Sequence, residues 1–182
     1  MINNMRTNLL GLTLIITILF SSAGAVIAQV GQQTPQALAN TLVSSINAKN
    51  KAGVQALIHP QVVSYLRVTD PAMLNNITAS LMSLKIPQDF KAGVISLDDL
   101  QKSGSEMAKY DKATQTLTMM GAPAYYKIPP SHLMMLAVDK EKTIEVDGKK
   151  ETKIIKVPLT PTPLPIGQYQ GNWYIIIAAG KK

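Results

Sequence analysis

The sequence predicts an α+β domain in which N-terminal helices pack on a curved antiparallel sheet, and three observations predict it. Between Pro35 and about Lys85 apolar residues recur at helical spacing, and beyond Pro87 the period changes to alternation. The third is the tail stretch Gly171-Asn172-Trp173-Tyr174-Ile175-Ile176-Ile177-Ala178, which holds the only Trp and the densest β-branched run. Alternation there puts Trp173, Ile175 and Ile177 on one face and Tyr174, Ile176 and Ala178 on the other, so neither face suits water. An antiparallel sheet commonly has one solvated face. A strand apolar on both sides therefore predicts helices on one side and either a pocket or a second subunit on the other.

Before the first helix, residues 1–28 read as an export signal. Arg6 is their only charge, Leu9 to Phe20 form an apolar run, and small residues follow, which predicts cleavage after Ala28. An uncleaved anchor over Leu9 to Val30 is the alternative reading, since about 20 apolar residues span a bilayer. Removing 28 of the 182 residues leaves 154, the size of one domain that buries a core without staples. A single domain over 29–182, periplasmic or secreted and with no membrane span after cleavage, follows. The chain has no Cys, which rules out disulfides and thiolate metal sites.

Thr34-Pro35 is a hydroxyl N-cap followed by Pro at the first helical position, and Leu38, Leu42 and Ile46 continue it as a helix to about Ala48. Asn50 caps a shorter helix through Val54, Leu57 and Ile58, which Pro60 is expected to end. Asp70-Pro71 repeats the start signal. Leu74, Ile77, Leu81 and Leu84 then form an amphipathic stripe reaching about Lys85.

Ala92 to Leu97 reads as the first strand, and Met107 to Tyr110 and Thr116 to Met120 flank an Asp111-Lys112-Ala113-Thr114 turn, with a helix left open there. Ser131 to Val138 reads as a strand apolar on both sides. Thr143 to Val146, Asp147-Gly148 and Thr152 to Leu159 form a hairpin. Thr160-Pro161-Thr162-Pro163-Leu164-Pro165 is expected to be a stiff loop between the last two strands.

Asn47-Ala48-Lys49-Asn50-Lys51 with Val54, Leu57, His59 and Pro60 at the front, and Gly171, Trp173 and Ile175 at the end, resemble the nuclear transport factor 2-like (SnoaL-like) superfamily. The resemblance covers residues 32 to 179 as an order of elements. It implies a cystatin-like cone, a sheet wrapped around helices, with a pocket at the open end and a dimer across the sheet's outer face. It carries no catalytic motif onto this chain.

Four residues are candidates for ligand binding. His132 lies on an apolar strand face, where an imidazole can act as base or hydrogen-bond a ligand. Tyr65 and Arg67 share strand parity if Val62 to Thr69 is extended, and Arg67, the one Arg beyond the leader, suits a carboxylate. Trp173 is the fourth. Adjacent Asp98 and Asp99 would face opposite sides of a strand and more naturally belong to a loop. His59 is expected to be architectural.

The net charge of +7 falls to +6 without Arg6. Its carriers are almost all Lys, and those between Asp139 and Lys156 are interleaved with acids, so nucleic acid is not an expected partner. Two distant His residues make a metal improbable, and neither a phosphate loop nor a nucleophile elbow is present, so no cofactor is expected. Seven Met residues beyond the leader suit a pliable core or pocket. The leading expectation is an exported, dimeric, non-catalytic domain binding a small lipophilic or amphipathic molecule. An isomerase, cyclase or dehydratase using His132 as base is the alternative, and an envelope adaptor is a third.

Overall fold

The computed structural model describes residues 32–146 and 149–179. The expected leader and the Asp147-Gly148 turn lie outside the described residues. Helices α1 (Pro35–Asn47) and α2 (Lys51–Ala56) start as their caps dictate: Thr34 Oγ1 accepts from Ala37 N at 3.1 Å, and Asn50 Oδ1 from Gly53 N at 2.9 Å.

The next helix differs from expectation. Val62 to Thr69 is not extended but lies in α3 (Pro60–Thr69), with Val62, Val63 and Leu66 buried along one side. Pro60 therefore opens a helix instead of merely ending one, because at the first helical position its missing N–H has no partner to lose. Asp70 then caps α4 (Pro71–Met82), Oδ1 to Met73 N at 2.9 Å, and this helix stops before Lys85. No helix among the described residues is long and apolar enough to cross a membrane.

The chain continues through β1 (Lys91–Ser96), α5 (Leu97–Lys102), β2 (Ala108–Asp111), β3 (Thr116–Met119), β4 (Ala122–Tyr125), β5 (His132–Val146), β6 (Lys149–Pro158), β7 (Leu164–Tyr169) and β8 (Asn172–Ile175). The class is thus α+β, with every pairing between these named strands antiparallel. Asp98 and Asp99 are not in a loop. They occupy the first turn of α5, where carboxylates favour the positive end of the helix and Ser96 Oγ caps Asp99 N at 2.9 Å.

The main sheet runs β1-β5-β7-β8, and β6 also pairs with β5. Strands β6 and β7 lie end to end against the long β5, partners of Val146 to Ala137 and of Met134 to His132 respectively. Leu159 N still donates to Leu136 O at 2.8 Å, so the six residues from 159 to 164 stand against only three of β5, from 136 to 134. Residues 159–163 are accordingly a connection outside any strand, as expected of the Pro run, but it joins β6 to β7 and not the last two strands. Strand β7 starts inside that run, at Leu164-Pro165. The last two strands are instead joined by Gln170 (φ 50°) and Gly171 (φ 77°), the positive pair of a tight hairpin turn.

Two cores result. Leu38, Leu42, Leu57, Val62, Leu66 and the other inward residues of α1–α4 pack with Met134, Leu136, Ile166, Trp173, Ile175 and Ile177. On the opposite side of the sheet, α5 and the small sheet β2-β3-β4 contribute Leu97, Leu100, Ala108, Leu117 and Tyr126, which close over Leu133 and Ile176. Burial pushes the Tyr126 phenol up to about 12.

Both sides of the tail stretch are therefore covered by this chain. The expectation of a pocket or second subunit over its second face is corrected there, because the segment from 97 to 126 supplies the layer. Its free edge is closed too: Trp173 exchanges backbone hydrogen bonds with Gln32, Ile175 N donates to Leu57 O at 2.8 Å, and His59 N donates to Ile175 O at 2.9 Å.

Candidate functional site

The four candidate residues divide. His132 opens β5 on the same side as Met134 and Leu136, so it belongs to the helix-covered face. Its Nδ1 lies 2.9 Å from Ser131 Oγ, and its ring meets Trp173 edge-on, centroids 4.9 Å apart at 84°. Trp173, 9% exposed, is part of the helix-side core. These two do converge, as a packed pair at the rim of that core.

Tyr65 and Arg67 join neither them nor each other. On a helix, positions two apart point to different sides. Arg67 is exposed in the last turn of α3, favourably placed for the helix dipole. Tyr65 instead carries the Lys127 ammonium 4.0 Å above its ring. The two line an open groove of about 580 Å³ together with Gln61, Val68 and Tyr169.

His59, expected to be architectural, is 2% exposed and serves as N-cap of α3. Its Nδ1 accepts from Gln61 N at 3.2 Å, which fixes the proton of the neutral ring on Nε2. Tyr169 and Tyr174 pack around it, ring centroids 4.8 and 5.8 Å away. Burial holds its pKa below the ordinary 6.5.

The second face of β5 is only partly covered, and the uncovered part is concave. Leu133 is closed over by α5 and the small sheet, but Met135, two residues on, floors an apolar groove of about 260 Å³. Strand β1 supplies Gly93, Val94 and Ile95, and Leu100, Met107 and Pro163 form the walls. Ile95 and Met107 are 42% and 44% exposed, large apolar side chains left to solvent beside the groove, whereas Val94, opposite Met134, turns its side chain to the other face.

Gly93 makes the groove. It stands directly opposite Met135 in the ladder, and a Cβ built on it would meet nothing within 4 Å. Any larger side chain there would fill the space that a guest would use. None of the four candidates lies here. The signal that could have found the site was Gly93 in the interior of a strand, where it leaves no side chain to pack.

Among the described residues no group of three or more His, Asp or Glu is placed to hold a metal ion. The apolar groove contains no acid, base or nucleophile, so its chemistry is that of shape and desolvation. In comparisons with family models, with curated proteins and with solved structures, nothing matches this chain.

Proposed function

We propose that this protein is an exported, non-catalytic binding domain that holds a small lipophilic molecule in the groove between β1, β5 and α5. The observation that carries the reading is the hollow that Gly93 keeps empty over Met135, with Ile95 and Met107 left open to solvent beside it. Leaving such side chains in water forgoes about 25 cal/mol for each Å² of apolar surface, a loss that a bound apolar guest reverses. The volume, about 260 Å³, lies just under the usual range of about 300–1,000 Å³ for small-molecule sites, which suits a short acyl chain or a small aromatic molecule. Met107 and Met135 give the lining the pliancy to fit either.

Export rests on the leader read in residues 1–28. The wider architecture we read as a nuclear transport factor 2-like cone, supported by the order α1-α2, His59-Pro60 and a terminal Gly-x-Trp-x-Ile strand. In that reading α5 with β2-β3-β4 is an addition over the outer face. It occupies the area where the resemblance implies a dimer contact.

The test uses the apolar dye N-phenylnaphthylamine, whose fluorescence rises in an apolar site. Wild-type protein should take it up saturably. Gly93→Val, whose Cβ meets no neighbour and which suits a strand, should stay folded and lose at least about tenfold in affinity, a change of about 1.4 kcal/mol. No saturable uptake, or equal uptake by a folded Gly93→Val variant, would overturn the proposal.

A further inference from the structure

Beyond Val138, strand β5 pairs only with β6, so residues from Asp139 onward form a two-stranded arm outside the main sheet. At about 3.3 Å per residue the arm extends some 20–25 Å. Its sequence mixes Lys with acids and looks neutral, but the register separates them. Lys140 stands opposite Ile155, Lys142 opposite Lys153, and Ile144 opposite Glu151, all on one face. Three lysines against one glutamate give that face +2. The other face presents Glu141, Glu145 and Asp139 against Lys150 and Lys156, and Lys91, ion-paired with Asp139, brings it to neutral.

The Lys142–Lys153 pair is the informative feature. Like charges directly opposite in a ladder destabilise it, and a bare two-stranded ribbon has little stability to spare. Glu151 relieves this only in part, its Oε2 lying 3.6 Å from Lys153 Nζ with both side chains about half exposed. Ile155, 38% exposed, sits among the ammonium groups and gives the same face an apolar component. A plane of anionic headgroups would neutralise the three lysines and receive the isoleucine. The opposite face has no net positive charge to draw it to such a surface, and Glu141 stands directly across from its exposed Ile154, which sets the orientation.

We propose that the Lys140–Lys142–Lys153 face of this arm docks on an anionic phospholipid surface. Each lysine held near such a surface strengthens binding roughly fivefold, and the attraction fades with salt over a Debye length of about 10 Å at 0.1 M.

The chain has no Cys, so a single introduced thiol labels one position only. The full-length protein carrying an environment-sensitive dye at Ile144→Cys, on the basic face, is compared with the same dye at Thr143→Cys on the opposite face. Vesicles of phosphatidylcholine with one-third phosphatidylglycerol are compared with phosphatidylcholine alone. The dye at position 144 should shift to the blue on the anionic vesicles only, the dye at 143 should shift far less, and adding Lys142→Glu and Lys153→Glu should abolish the shift at 144. An equal response at both positions, a response insensitive to lipid charge or to those two substitutions, or no response at all overturns the proposal. So does a shift produced by soluble polyphosphate but not by the vesicles.

Discussion

A single imidazole at position 59 carries more of this structure than its isolated place in the sequence suggests. Its Nδ1 caps α3, its backbone N–H closes the edge of β8, and its ring fills the space between Tyr169 and Tyr174. Protonating Nδ1 would turn the acceptor into a donor facing the Gln61 N–H, so the folded state holds the neutral ring. The folded-state pKa lies below 6.5, the ordinary value of the unfolded chain. The unfolded state therefore binds the extra proton more readily, and stability present above about pH 6.5 is lost as the pH falls through the folded-state pKa. Thermal melts between neutral and mildly acidic pH should show the midpoint falling. His59→Asn, which keeps a cap but cannot titrate, should flatten that slope, while His59→Ala should cost about 1 kcal/mol from the cap alone at neutral pH. An unchanged slope in His59→Asn would assign the acid sensitivity to other groups.

Among elements, those with chemically explicit boundaries were legible in the sequence, and those shaped by distant contacts were not. Thr34-Pro35, Asn50 and Asp70-Pro71 predict the starts of α1, α2 and α4 because a cap acts within three residues. His59-Pro60 obeys the same rule, but His is an unusual cap, and α3 went unread. Strand β7 was hidden by Pro165 and Gly167, residues that weaken any strand pattern. It forms because β5 and β8 pair on either side of it, and because Gly167 lets Ile176 lie within 3.4 Å of where its Cβ would be. The hairpin that follows depends on Gln170 and Gly171 at positive φ. Gly171→Ala should cost about 1–2 kcal/mol in denaturant unfolding, from backbone strain alone since its Cβ meets open space. Gln170→Asn should raise stability slightly, because Asn tolerates that region better. A neutral Gly171→Ala would contradict the turn assignment.

For the whole molecule, the alternation in the tail stretch announced two covered faces but pointed to a pocket or second subunit where this chain supplies its own layer. In β5 the second face is covered only in part. The covering layer comes from 97–126, where short strands and the Met120-Gly121 turn give weak local signals and sheet order is decided by packing. The groove leaves only Gly93 as a trace in the sequence, and that Gly93 faces Met135 across a ladder is decided by the register of distant strands. If both cores belong to one unit, Leu133→Ala in the second core and Leu42→Ala in the first should each cost about 2–5 kcal/mol in a single unfolding transition. Two separate transitions would mean that the outer layer folds independently.

The most direct test of this two-sided cover is amide hydrogen exchange at Trp173, Ile175 and Ile176, measured over a wide range of protein concentration. Because the partners of these amides, Gln32, Leu57 and Pro165, all lie in the same chain, the account predicts exchange only through global unfolding, at a rate independent of concentration. Protection that is weak in dilute solution and grows with concentration would show that a second subunit supplies the cover, and would contradict it.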